Sequence, residues 1–243
     1  MSLIRIKIAF TILALAAFGA GCDEPRARMT DTSTVALEGA TRVEVGLKMG
    51  AGELDLRAVD QEPLLEASFE FNRERNRPEV DYTLIGDKGR LQIRHARHRG
   101  FSFGSTRNRW DLRLGRAVPV ELAVDLGAGQ SDLDLRGLKL ERVEIDMGVG
   151  EMTLDLQGAH ERSFDVRIDG GVGSATVRLP AEVGVRVKVD GGLGSVNAHG
   201  LTKRSGAYVN DAYGNSAVTI EVDIDGGIGS LDLRCEPSAR IRT

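Results

Sequence analysis

Five aspartates, Asp125, Asp146, Asp169, Asp190 and Asp225, each stand two positions before the first glycine of a Gly-x-Gly turn. A carboxylate repeated at equivalent places has two uses. It can accept hydrogen bonds from the amides of its own turn, or, if the turns stack, it can join a column of oxygens suited to calcium, which takes several carboxylate and backbone oxygens. Stacked carboxylates about 5 Å apart repel one another, so such a column needs solvent, turn amides or cations around it. It does not make an acid and base pair, because that chemistry needs carboxyl groups in different environments.

Other chemistry-bearing residues lack the context their reactions need. Gly100-Phe101-Ser102-Phe103-Gly104 has the spacing of a nucleophile elbow, but that turn joins a strand to a helix, and here it lies in an arginine-rich segment of a strand-rich chain. His95 and His98 lie three apart at a strand end, and His160 and His199 stand in different repeats, so no zinc spacing arises. Cys235 follows Leu231 and Leu233 and reads as a small core residue. The chain reads as a non-enzyme.

The elements that must position these residues form an internal repeat. Short glycine turns recur at MGAGELDL, LGAGQSDLDL, MGVGEMTLDL, GGVGSATVRL, GGLGSVNAHG and GGIGSLDLR. From Gly127 the motif glycines follow at Gly148, Gly171, Gly192 and Gly227, steps of 21, 23, 21 and 35 residues. Periods of this size belong to stacked architectures. Apolar residues alternate before and after each turn, as in Val43, Val45, Leu47 and Met49, then Leu54 and Leu56, which is the period of half-buried strands. One coil cannot bury its apolar edge alone, so each is expected to stack on the next. The Asp-Gly-Gly-x-Gly-Ser text resembles calcium-binding nonapeptide repeats, yet the period differs and the Asp precedes the glycines. Segment 200–216 accounts for the 35-residue step and is expected to project as a loop, with Tyr208, Asn210, Tyr213 and Asn215 giving it either a recognition surface or local turns.

The N-terminus carries Arg5 and Lys7, then an apolar run from Ile8 to Gly21, then Cys22. The run is too short for a bilayer, which takes about 20 residues, and reads as a secretory signal over 1–21. Phe-Gly-Ala-Gly-Cys resembles the lipobox of bacterial lipoproteins, which implies lipidation of Cys22 and a membrane anchor; Gly19 departs from the usual Leu, Val or Ile. Residues 22–34 read as a polar tether. Removing Arg5 and Lys7 takes the formal charge from −4 to −6, which excludes the net basic footprint of a nucleic-acid binder. With Cys22 lipidated, only Cys235 remains and no intramolecular disulfide can form.

Residues 60–119 break the period and read as an antiparallel meander with loops 72–79 and 96–109 at one end. Both loops are basic. Arg73, Arg75 and Arg77 in the first and Arg97, Arg99, Arg107 and Arg109 in the second, with Phe101 and Phe103 between, form a patch suited to anionic headgroups or envelope polymers, to a protein partner, or simply to solvent.

The run from Trp110 through VPVELAVDLGAGQSDLDL and IDGGVGSATVRLP to VDIDGGIGSLDLR resembles the toast-rack domain of bacterial envelope proteins, which includes LiaF-type proteins and related adhesin-like proteins. The resemblance covers roughly 110 to 234. It implies a right-handed parallel β-helix-like stack in the envelope and no reaction, and it brings no catalytic residues. The membrane spans that LiaF-type proteins place before the domain have no counterpart in this sequence.

The expected molecule is all-β: signal 1–21, tether 22–34, N-terminal β region 35–119 with the first repeat and the meander, and a solenoid of about 21-residue repeats over 120–243. Its expected role is a lipid-anchored envelope scaffold facing the periplasm or cell exterior, with a ligand-binding module for calcium, anionic glycans or headgroups as the alternative, and with self-association through an uncapped end open to it.

Overall fold

The computed structural model describes residues 4–5, 11–12, 29–72, 76–95, 108–192, 194–227 and 229–238. Among these residues there is no α-helix, and 17 strands join into one sheet of mixed direction. In chain order they are β1 (Ile4–Arg5), β2 (Thr11–Ile12), β3 (Met29–Val35), β4 (Arg42–Val59), β5 (Leu65–Phe71), β6 (Pro78–Ile85), β7 (Lys88–His95), β8 (Asn108–Gly115) and β9 (Pro119–Asp134). There follow β10 (Lys139–Asp155), β11 (Phe164–Pro180), β12 (Gly184–Asp190), β13 (Ser195–His199), β14 (Thr202–Arg204), β15 (Ala207–Val209), β16 (Thr219–Gly226) and β17 (Ser230–Glu236).

Four long strands, β4, β9, β10 and β11, run through the glycine turns without a break and pair in parallel, in register, over their length. Gly52, Gly129, Gly150 and Gly173 thus stand in one line, as do Met49, Leu126 and Met147. Each turn passes the strand from one limb of the sheet to the other. The first half of β4 pairs with β7 and its second half with β8. Alternate residues of both limbs point inward, so Val43, Val45 and Leu47 of one limb and Leu54 and Leu56 of the other belong to a single hydrophobic core. That core is the reason for the stack: burying a Val or Leu side chain contributes about 1.5–3 kcal/mol, and only a neighbouring rung supplies the burial.

Three expectations change. The 60–119 region is not a meander within one limb. β6 and β7 form a hairpin in the first limb, while β5 pairs with β8 and β3 in the second. Alternation shows which face of a strand is buried but not which strand lies beside it. Half of the expected tether is structured as well, because β3 begins at Met29 and pairs with β5 along its whole length.

The third change concerns order. The rung formed by β16 and β17 lies between β11 and the rung formed by β12 and β13. The chain therefore lays down its outermost rung first and returns to fill the place beneath it. Segment 200–216 is the return path and not a free loop: β14 and β15 form a hairpin, and β15 pairs antiparallel with β12. Asn210 is buried within it, accepting the Val185 N–H at 2.9 Å and donating to the Val183 carbonyl at 2.7 Å.

Candidate functional site: the glycine corner and its flanks

The corner can be built only from glycine. At Gly129 and Gly150, φ is +137° and +147°. A Cβ at either would also drive into the carbonyl oxygen of the matching glycine one rung back, Gly52 and Gly129 respectively. Backbones thus approach closely along the corner, and the residues just before it are held at rung spacing.

The five aspartates are brought together in the order Asp125, Asp146, Asp169, Asp225, Asp190. The first four line a shallow groove of about 410 Å³. Cations take up part of the charge. Lys48 pairs with Asp125, Arg167 donates to Asp169 at 2.9 Å, and Lys188 pairs with Asp190. Asp146 and Asp225 make no ion pair among the described residues. The hydrogen bond to Asp190 holds the Lys188 ammonium above its usual range. The carboxylates lie in a line along the rungs, and among the described residues no three His, Cys, Asp or Glu side chains are grouped so as to hold a metal ion.

At its inner end the corner is closed by side chains. His95 Nδ1 accepts the Gly50 N–H at 3.1 Å, and the Asn108 amide donates to the Ala51 carbonyl at 2.7 Å. These two side chains satisfy backbone groups that a further rung would otherwise bind. Burial pushes the His95 imidazole below its usual value, opposed in part by a hydrogen bond with Asn108. Trp110, fully buried, packs edge-on against both His95 and Phe69.

Of the arginines singled out by sequence, Arg77 donates to the buried Asp31 at 2.8 Å and Arg109 to Glu53 at 2.9 Å, so both are engaged within the fold. Arg73, Arg75, Arg97, Arg99 and Arg107 lie outside the described residues, as do Cys22, His98 and the Gly100–Gly104 motif. The flanks of their segments are placed. Phe71 pairs with Asn108 and Met29, and Pro78 pairs with His95. Both arginine-rich connections therefore start and finish at the corner of β4.

The remaining candidates stay apart. His160 Nε2 lies 2.7 Å from the Leu156 carbonyl, His199 lies 3.8 Å from Asp232, and Cys235 is buried with its thiol donating to the Pro180 carbonyl at 3.3 Å. Burial raises the Cys235 thiol pKa, which keeps it protonated and unreactive. Sequence reasoning missed Asn108 and Asp31. Each carries a signal, since Asn108 is in phase with Trp110, Leu112 and Leu114, and Asp31 with Val35: polar residues at core positions.

The profile of the N-terminal domain of toast_rack, DUF2154, matches residues 24–178. The chain belongs to the toast-rack family. A crystal structure of a candidate cell adhesion protein from Clostridium sporogenes is 32% identical to this toast-rack chain, covers 86% of it and 100% of its own length, and superposes with a TM-score of 0.82. A candidate adhesin from Bacteroides fragilis is 10% identical over 88% of this chain and 100% of its own, with a TM-score of 0.27, too low to carry an argument. No curated protein matches the chain.

Proposed function

We propose that this toast-rack chain is a non-catalytic scaffold of the bacterial envelope, anchored by lipid at Cys22 and held with its β3–β5 end toward the membrane. One convergence carries the reading. Met29, where the remaining tether ends, pairs with Phe71, and Phe71 pairs with Asn108, so the tether and both arginine-rich connections leave from neighbouring points. The steps from Cys22 to Met29 span at most about 25 Å when extended.

Charge along the sequence supports the same orientation. Residues 29–118 have 15 Lys and Arg against 14 Asp and Glu, a net of +1, whereas residues 119–243 have 13 against 20, a net of −7. An anionic bilayer attracts the first part and repels the second within a Debye length, which favours an end-on posture. The in-register rungs support the finer reading of 120–243 as a right-handed parallel β-helix-like solenoid, with 35–119 as its N-terminal region. A role at the cell surface also accords with the adhesion description of the Clostridium sporogenes relative.

The test is fractionation of cells expressing the full chain or Cys22→Ala, joined to flotation of the mature chain, made without its acyl group, on vesicles. The expected outcome is membrane recovery of the first and release of the second, with flotation on phosphatidylglycerol vesicles and not on phosphatidylcholine ones. Membrane recovery of Cys22→Ala at the wild-type level would overturn the anchor. The rival ligand-binding reading predicts a rise in melting temperature with calcium. The linear arrangement of the carboxylates gives it little support.

A further inference from the structure

Every sheet has ends, and an exposed strand edge is normally guarded by charge, proline or an inward-pointing ionised group. Three outer strands of this fold have such a guard. β6 and β3, each met on its outer side only by a two-residue strand, β1 and β2 respectively, carry Pro78, Glu79 and Asp81 in the first case and an inward-pointing Asp31 in the second, and β14 carries Lys203 and Arg204. β13 has none: it reads Ser-Val-Asn-Ala-His, is exposed at alternate residues, and among the described residues pairs on one side only, with β17.

The two limbs also end unevenly. Beyond the last rung the first limb continues through β15 and β14, while the second stops at β13, leaving a step two strands deep. Apolar side chains border this step. Val189, Val196, Ala198, Leu201 and Tyr208 pack on the core but are only partly buried. Ser195 donates its N–H to the Gly229 carbonyl at 3.2 Å, toward β17. By the alternation of backbone groups along a strand, Val196 and Ala198 turn their N–H and C=O toward the open side.

We infer that β13 receives an extended segment of a partner polypeptide, with small apolar residues at alternate positions, which completes the second limb against the inner side of the β14–β15 hairpin. Main-chain hydrogen bonds to Val196 and Ala198 would hold it, and the partly buried apolar residues would select it. The absence of charge on β13 fits an uncharged inner face on the partner. A second copy pairing β13 to β13 about a two-fold axis is a poorer occupant, because each hairpin projects two strands past its own β13 into the space the other copy needs. The inference specifies the interaction that the scaffold reading leaves general. It does not depend on the lipid anchor, so failure of either can be told from failure of the other.

The test uses the mature chain and a labelled synthetic peptide of residues Ser174–Pro180, a strand that already pairs in parallel with β17 in the same register as β13 does. Binding is read by fluorescence anisotropy and its position by hydrogen exchange. Saturable binding is expected, with slowed exchange at the Val196 and Ala198 amides and at least tenfold weaker affinity for Ala198→Pro. That variant removes only an outward-facing donor and so leaves the pairing with β17 intact. Ala198→Lys, which restores a charged guard, should weaken binding similarly. No saturation, equal binding to both variants, or protection confined to β6 or β14 would overturn the inference. Concentration-dependent dimerisation of the wild-type chain that Ala198→Pro abolishes would also overturn it, replacing the partner strand with a second copy.

Discussion

Asn108 Oδ1 accepts the indole N–H of Trp110 at 3.0 Å, two residues along the same strand, while its Nδ2 reaches across to the corner of β4. One amide thus satisfies the largest buried side chain and ties down the first glycine turn. Asn108→Leu should cost about 2 kcal/mol, mostly from the stranded indole N–H, since Ala51 is exposed and its carbonyl can turn to water. Asn108→Asp keeps the acceptor but buries a carboxylate against the Ala51 carbonyl, and should cost at least as much at neutral pH. Denaturant midpoints at constant m-value check both.

The Asp31–Arg77 pair differs from the many surface ion pairs, because Asp31 is only 3% exposed. Arg77→Met should destabilise by about 3–5 kcal/mol by leaving a buried carboxylate without its guanidinium, and Asp31→Asn together with Arg77→Met should recover much of that loss. Arg142→Gln, which removes an exposed pair with Glu144, should change stability by less than about 1 kcal/mol. A thermal unfolding series on these variants separates the two classes.

Charge repulsion along the aspartate line should appear as a salt effect. Asp146→Asn removes a carboxylate flanked by Asp125 and Asp169, and should leave stability unchanged or raise it by about 0.5 kcal/mol at low ionic strength. Asp169→Asn gives up an exposed pair with Arg167 and should gain less. Melting temperatures of the double variant and wild type should converge as sodium chloride rises; a collapse of the double variant would show that these carboxylates hold the turns.

Acid should weaken the fold through its buried histidines before the carboxylates respond. Burial lowers the pKa of both His95 and His160 in the folded chain, whereas both titrate near 6.5 when unfolded. As pH falls through that value the unfolded state takes up protons first, so stability present above pH 6.5 is progressively lost below it. The urea midpoint should fall from about pH 7 toward pH 5, and His95→Gln should flatten that slope.

Much of this was legible in the residues. Strict alternation marked the inward faces of β4, β9, β10 and β11, and the glycine spacing put Gly52, Gly129 and Gly150 in line. The order of the last two rungs was not legible. Asp-Gly-Gly-Leu-Gly-Ser at 190 and Asp-Gly-Gly-Ile-Gly-Ser at 225 are nearly the same text, so either can lie against β11, and the choice is made by the 200–216 return path and its hairpin. The division of β5 and β8 from β6 and β7 was hidden for a related reason: a strand that pairs at short range in sequence looks the same as one that pairs at long range. The aspartate line and its need for solvent, turn amides or cations were foreseen, but the identity of the cations was not, because Lys48 comes from β4, far from Asp125 in the chain.

The late arrival of β16 and β17 sets a timetable for the newborn chain. Residues 184–199 leave the ribosome before the strands they must rest on, and until residue 236 has emerged they have no finished surface to join. A chain stopped short near residue 218 would lose a layer from its interior rather than its tip, so this part of the molecule assembles all at once, only after β17 has been made.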